Sequence, residues 1–133
     1  MFHTYDASNV SVTINDVILT GFSEDMLEYE KDEDSWTTKV GSQGDVVRSK
    51  INNSLATLTV TLLATSPQVP MLEALAQSGE DAKVFVSVSG PVNETITADQ
   101  AFVKKPATRT YNNEVADRVY ELQLVNPTLT SSL

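Results

Sequence analysis

The chain has 133 residues and a mass of 14.5 kDa, and 41% of its residues are apolar, which suffices for the core of one ordinary domain. It has no cysteine, which excludes disulfides, thiolate catalysis and cysteine-based zinc sites. A net charge of -9 speaks against binding to a nucleic-acid backbone, which requires clustered Lys and Arg. No apolar run approaches the roughly 20 residues that span a bilayer, so no membrane insertion is expected.

The first predicted element is a β-hairpin. Apolar residues alternate along Ser8–Ile14, as in a strand with one buried face. Asn15-Asp16 is a plausible two-residue turn, because both side chains tolerate positive φ. We therefore expect Val17–Thr20 to return as the second strand and Gly21 to end it.

A charged segment, residues 24–53, follows. Met26–Glu30 alternates apolar and acidic residues, Ser35–Val40 is its predicted partner strand, and Gly41–Asp45 is a loop. Seven acids and one base lie between residues 24 and 34. They form a solvated surface, a calcium loop (although the Asp-x-Asp-x-Asp-Gly spacing is missing), or a surface that faces a partner or a lumen. Trp36 follows directly and suits either a core or an interface.

After a predicted turn at Asn52-Asn53, the long strand predicted at Ala56–Leu63 has two different faces. Leu58 and its alternate neighbours are apolar, whereas the intervening residues are threonines, at positions 57, 59 and 61. Threonine has strong strand propensity but is too polar for a core. This face suits a wet surface, a wet lumen or a polar contact between subunits.

One helix is predicted within Ser66–Ser78. Ser66 is the expected N-cap, Pro67 fits the first helical position, and Gly79 is placed to end the helix. Pro70 lacks a backbone N–H donor, so the regular helix could begin only there.

The remaining elements are strands. Lys83–Ser89, Thr95–Val103 and Arg118–Val125 are the candidates, and Asn112-Asn113 is a predicted turn between the last two. Asn126-Pro127 is expected to end the sheet, leaving Thr128–Leu133 as a loose arm. The predicted class is mainly antiparallel β with one helix, a barrel or sandwich, in a single domain over residues 1–133.

The residues needed for catalysis are scarce. His3 is the sole histidine and lies near a terminus, so no Ser-His-Asp or Cys-His set can be assembled. The sequence contains neither a GxxxxGK[ST] loop nor a GxGxxG motif after a strand. We therefore expect a protein that is not an enzyme and that uses no cofactor or metal.

The segment 41–67 contains a "G..GD..RS...N.S...LTVTL..TSP" pattern, in which a polar hairpin leads into an alternating strand and a helix. This pattern, together with the N-terminal hairpin and the closing strands, resembles the tail tube proteins of contractile-tailed bacteriophages. The resemblance covers nearly the whole chain. It implies a β-barrel-like sandwich with a flanking helix about residues 67–78, similar to the tube protein of type VI secretion.

The resemblance also implies a function. Six copies would form a ring, rings would stack into a tube, and DNA would pass through without specific binding, with sheath, tape measure and baseplate proteins as partners. The polar excursion about residues 24–53 would reach neighbouring subunits, and Thr57, Thr59 and Thr61 would line the lumen. The candidate contact residues are Asp32, Glu33, Asp34, Trp36, Lys39, Gln43, Asp45, Arg48 and Lys50.

Two alternatives remain from the sequence. One is a related part, such as a secretion tube, a tail-like bacteriocin tube or a tail-completion protein. The other is a monomeric β-barrel that binds a small ligand, although nine aromatic residues spread over the chain would line such a barrel sparsely.

Overall fold

The computed structural model describes residues 3–132 of the chain. A short 3-10 helix at Ala7–Asn9 precedes ten strands and one α-helix. The strands are β1 (Val10–Ile14), β2 (Val17–Ile18), β3 (Phe22–Lys31), β4 (Trp36–Val40), β5 (Val46–Lys50), β6 (Ala56–Leu63), β7 (Ala82–Val88), β8 (Asn93–Val103), β9 (Asp117–Val125) and β10 (Thr128–Ser132). The helix α1 spans Val69–Ser78 and lies between β6 and β7 in the chain. The predicted class, antiparallel β with one helix, is confirmed.

Eight strands form one antiparallel sheet. Seven follow the order β2-β1-β7-β8-β9-β6-β3, and β10 pairs with β8 beside the end of β9. In the described residues, β2 and β3 are the two outer strands and do not pair with each other, so the sheet remains open rather than closing into a barrel. The strands β4 and β5 form a separate two-stranded sheet.

The structure confirms the turn predicted for the first hairpin. Asn15 and Asp16 have φ of 51° and 67°, as a two-residue turn between twisted strands requires. Strand β2 stops at Ile18, two residues earlier than predicted, and Gly21 then takes φ of 73°.

The predicted pairing of Met26–Glu30 with Ser35–Val40 is wrong. Strand β3 pairs with β6, where Leu27 lies opposite Val60 and Tyr29 opposite Leu58, while β4 pairs with β5. The physical reason is burial: pairing with β6 brings the apolar side of β3 against the core, which a local hairpin with an exposed strand would not do.

The end of the sheet also differs from the prediction. Asn126 takes φ of 49° and bends the chain, but Thr128–Ser132 then resumes as β10 against β8. The tail described up to residue 132 is therefore a paired strand rather than a loose arm, and Leu133 lies outside the described residues. A proline at a bend removes one donor from the ladder without preventing pairing on either side.

The core lies on one side of the curved sheet. Leu58, Val60, Leu62, Tyr120 and Leu122 are fully buried there, together with residues of β1, β7 and β8. Leu72 and Leu75 of α1 pack against this cluster. No helix among residues 3–132 is long and apolar enough to cross a membrane.

The helix begins at Val69 with Gln68 as its N-cap, so the expectations of Ser66 as N-cap and of Pro67 as the first helical residue are wrong. The hydroxyl of Ser66 instead donates to the carbonyl oxygen of Thr20 at 2.6 Å, which ties the start of the helix to the β2–β3 connection. Pro70 is tolerated in the first turn because the backbone N–H groups there have no partner within the helix. Gly79 ends the helix with φ of 71°, as predicted.

Candidate functional site: an exposed hairpin and an acidic sheet face

The β4–β5 hairpin extends from the main sheet. Its register places Trp36 opposite Lys50 and Val40 opposite Val46, and Gly44 takes φ of 92° in the connecting turn. Every residue of both strands is exposed, including valines that are 65% exposed at positions 40 and 46. Within the described residues, the backbone pairing between β4 and β5 is therefore what holds this hairpin together.

One face of the hairpin combines aromatic, aliphatic and basic side chains. The cross-strand pairs place Trp36, Thr38, Val40, Val46, Arg48 and Lys50 on this face, which we call the docking face. The guanidinium carbon of Arg48 lies 3.9 Å from the centroid of the Trp36 ring, a cation–π contact. Neither strand contains an acidic residue, so the docking face is positively charged within an acidic protein.

The base of the hairpin is held firmly to the main sheet. The backbone N–H of Asp32 donates to the carbonyl oxygen of Leu55 at 3.1 Å. The carboxylate of Asp32 accepts hydrogen bonds from the Thr57 hydroxyl at 2.7 Å and from the Gln123 amide at 2.9 Å. These bonds lower the pKa of Asp32, the Thr57 bond contributing most. These bonds tie the chain just before the hairpin to the main sheet, whereas the strands of the hairpin are exposed.

The structure places the nine candidate contact residues at the base of the hairpin, in the turn that follows the base, or on the hairpin itself. Asp32 is at the base and is engaged within the chain, whereas Glu33 and Asp34 are exposed in the following turn. Trp36 is 45% exposed, so it is not a core tryptophan in the single chain. The remaining candidates all lie exposed on the hairpin or its turn: Lys39, Gln43, Asp45, Arg48 and Lys50. Residues 24–31 of the predicted excursion belong to β3 in the main sheet, and the projecting part begins after them.

The threonine face lies on the outer side of the sheet, away from the core. Thr57 and Thr59 are half-buried, whereas Thr61 is only 9% exposed and contributes little free surface. The register places Glu30 opposite Thr57 and both Glu28 and Glu121 opposite Thr59. Acidic side chains thus flank the threonines on both neighbouring strands.

Lys104 and Gln123 also lie at this face and were not predicted. The ammonium group of Lys104 lies 3.3 Å from the Thr57 hydroxyl oxygen. The alternation of Glu28 and Glu30 is visible in the sequence, but the strands beside the threonines are known only from the pairing. Among residues 3–132, no group of three or more possible ligand side chains is placed to hold a metal ion.

A polar cluster holds the long connection between β8 and β9, residues 104–116. Glu73 of α1 accepts a hydrogen bond from the Tyr120 hydroxyl at 2.7 Å and pairs with Arg109 at 2.8 Å. Burial alone would raise the pKa of Glu73, but the bonds from Tyr120 and Arg109 outweigh it and lower that pKa. Burial and the bond to Glu73 raise the pKa of Tyr120, so the phenol stays protonated. The cluster is structural: it joins helix, sheet and connection.

The family model described as "Bacteriophage PhiTE tail tube protein" matches residues 3–124 of the chain. The chain belongs to this phage tail tube family. The resemblance inferred from the sequence is thereby confirmed. No curated protein sequence matches the chain significantly.

Solved structures with a similar fold come from contractile injection systems. The tube-terminating cap of the anti-feeding prophage superposes with a TM-score of 0.63 at 12% identity, covering 99% of this chain and 94% of that one. The sheath/tube terminator of the extracellular contractile injection system PVC, in the extended state, gives 0.62 at 11% identity, covering 98% and 99%. The PVC sheath–tube complex gives 0.57 at 9% identity, covering 97% and 93%. These similarities concern the fold, and the family supports a structural, non-enzymatic role in a tail or tail-like particle.

Proposed function

We propose that this protein is the repeating subunit of a phage tail tube, in which six copies form a ring, rings stack, and DNA passes through the channel. Membership of the tail tube family supports the proposal. In this chain, the observation that carries it is the exposed β4–β5 hairpin, whose Trp36, Val40 and Val46 side chains are 45%, 65% and 65% exposed.

The hairpin fits an assembled state better than an isolated one. A two-stranded hairpin is at best marginally stable in water by itself. Contiguous exposed apolar groups on a soluble chain commonly mark an interaction surface. A hairpin that is tied to the main sheet at its base and exposed along its docking face is therefore placed to contact another subunit.

The edges of the main sheet support the same proposal. In the described residues, β2 and β3 each have one edge without a strand partner, and β3 is ten residues long. A long free edge invites pairing with other chains unless a defined neighbour covers it. Different edges meeting head to tail make a heterologous contact, which closes into a ring when the rotation between subunits is suitable. The number six comes from the tail tube resemblance.

The acidic threonine face is the candidate wall of the channel. Glu28, Glu30 and Glu121 lie beside Thr57 and Thr59, and Lys104 lies among them at Thr57, so this surface is polar and mostly negative. Each phosphate contact from Lys or Arg would add affinity and slow the passage of DNA. A wall that repels phosphate while its hydroxyl groups hold water suits a conduit.

The proposal extends to the surroundings of the tube. Synthesis would take place in the host cytoplasm, and the assembled tube would contact sheath, tape measure and baseplate proteins in the tail. The filled interior of the sheet, with Tyr120 and Leu122 fully buried in it, argues for a structural subunit rather than a small-ligand barrel.

Electron microscopy of the concentrated purified protein tests the proposal. We expect rings with sixfold end views and stacked rods, and sedimentation velocity should show species far above 14.5 kDa. Rings that never stack would instead assign the chain to tube completion. A purely monomeric protein at all concentrations and salt conditions would contradict the proposal. Tight DNA binding at physiological salt in a gel-shift assay would contradict the assignment of the channel wall.

A further inference from the structure

A cleft on the main sheet has the chemistry to receive the hairpin of another copy. It lies between the β1 and β7 side of the sheet and the irregular part of β3, and it has a volume of about 490 Å³. Its apolar lining includes Val10, Val88 and Met26, and its acidic lining includes Glu24, Asp25 and Glu94. No Lys or Arg lines this cleft.

The irregularity of β3 explains why acids reach the cleft. Phe22 pairs with Leu62 and Leu27 with Val60, so β3 has several more residues than β6 over the same stretch. The extra residues form a bulge, which bends a strand and changes the direction of its side chains. Glu24 and Asp25 belong to this bulge and are exposed at the cleft.

We infer that the cleft is the receptor for the docking face of the β4–β5 hairpin of a neighbouring copy. The inference rests on the proposed self-assembly and names its partner surfaces. The occupant follows from complementarity of charge: residues 35–51 contain three bases and one acid, whereas the whole chain carries -9. Trp36 and the exposed valines supply the apolar groups, and Arg48 and Lys50 supply the charges that the cleft lacks.

The alternative receptor, the acidic threonine face, fits less well. Around Thr57 it offers Glu30 and Glu121, but Lys31 and Lys104 lie among them. Around Thr61 it offers Glu28 and Asp25, with Leu27 as their apolar neighbour. The cleft offers acids without bases and apolar groups beside them. Charged groups set register and association rate, while buried apolar contact holds the complex, so a receptor needs both.

Among the described residues, none of the hairpin lines the cleft of its own chain, so the cleft is open to the hairpin of another copy. The hairpin leaves the sheet after Lys31, whereas the cleft is formed by β3 near Asp25. At the strand rise these positions are roughly 20 Å apart along the same strand. Two distinct, complementary patches on one chain make a head-to-tail contact, which generates rings or stacked assemblies.

A charge-swap experiment tests the pairing. Arg48→Glu with Lys50→Glu, and separately Glu24→Lys with Asp25→Lys, should each raise the critical concentration for assembly by about tenfold or more, as close interfacial charge pairs do. Combining all four substitutions should restore assembly. Glu28→Lys with Glu30→Lys is the matched control and should not rescue the hairpin variant. Circular dichroism verifies that each variant is folded.

Cysteine cross-linking provides an independent readout, since the chain has no cysteine. We expect a mixture of Thr38→Cys and Met26→Cys proteins to form disulfide-linked dimers on oxidation, beyond those of either protein alone. Thr38→Cys mixed with Glu28→Cys is the control pair. If the wild-type protein forms tubes but the four-substitution variant does not regain assembly and the cysteine pair does not cross-link, the cleft is not the receptor and the proposed function still stands. If the wild-type protein does not assemble and the mixed Thr38→Cys and Met26→Cys proteins do not cross-link, both the cleft as receptor and the proposed function are overturned.

Discussion

Removing the hairpin should abolish assembly and leave the subunit folded. Ser35 and Ile51 flank its two strands, and the Ile51 N–H donates to the Ser35 carbonyl oxygen at 2.9 Å. An Asn-Gly turn can therefore replace Trp36–Lys50 and join the two flanking residues without moving the base. The hydrogen bonds of Asp32 to the main sheet remain intact in this variant.

The expected change in the free energy of unfolding follows from burial and loop length. No residue of β4 or β5 is buried, so the deletion leaves no cavity in the core. Shortening a loop of about 15 residues to two lowers the closure entropy cost by about 2 kcal/mol. Loss of the exposed cation–π contact offsets about 0.5–1 kcal/mol of this. The free energy of unfolding should therefore stay within about 2 kcal/mol of the wild-type value, a shift in Tm below about 8 °C.

Urea unfolding followed by circular dichroism measures the stability of the deletion variant, and sedimentation velocity with electron microscopy measures its assembly. Trp36→Ser tests the docking face alone and should weaken assembly. Tyr111→Ser, which alters an aromatic side chain that is 79% exposed elsewhere, is the matched control and should leave assembly unchanged. Normal tubes from the deletion variant would refute the reasoning about the interface. Loss of cooperative unfolding would show that the hairpin belongs to the folding core.

Three predictions concern stability. Tyr120→Phe leaves a buried Glu73 oxygen without its 2.7 Å hydrogen bond and should cost about 1–3 kcal/mol in urea unfolding. Because its partners lower the pKa of Glu73, stability should fall as the pH drops through the unfolded and then the folded pKa of this group; a Glu73→Gln profile as steep as the wild type would contradict this. Gly21→Ala should destabilise the protein by about 1–3 kcal/mol, since φ is 73° and the new Cβ would lie 2.9 Å from that of Ser66; an unchanged Tm would argue against it.

Local rules were sufficient where neighbours in sequence decide the structure. Asn15-Asp16 forms the predicted turn, Gly79 ends the helix, and Ala56–Leu63 is a strand with the predicted apolar and threonine faces. Each depends on backbone sterics or on side-chain alternation, which the order of residues contains. The alternation also placed β7 and β9 to within one or two residues of their bounds.

Pairing over long distances required the tertiary structure. The alternation of Met26–Glu30 is compatible with several partners, and only burial of Leu27 and Tyr29 against β6 selects one. Likewise, the composition of Thr128–Ser132 shows no core pattern, yet the free part of the β8 edge accepts it as a strand.

The predictions for the candidate site divide in the same way between the sequence and the tertiary structure. The sequence by itself indicated that residues 24–53 are too polar to be mostly core, that a threonine face exists, and that the chain resembles tail tube proteins. The first of these holds for the hairpin but not for β3, whose Leu27 and Tyr29 pack against the core. Only the tertiary structure decided that Asp32 serves the base of the hairpin, that Glu121 joins the threonine face, and that Glu24 and Glu94 meet at one cleft. The physical reason is that the alternation along a strand specifies which of its two faces is buried, whereas the strand that pairs with it depends on the packing of the whole chain.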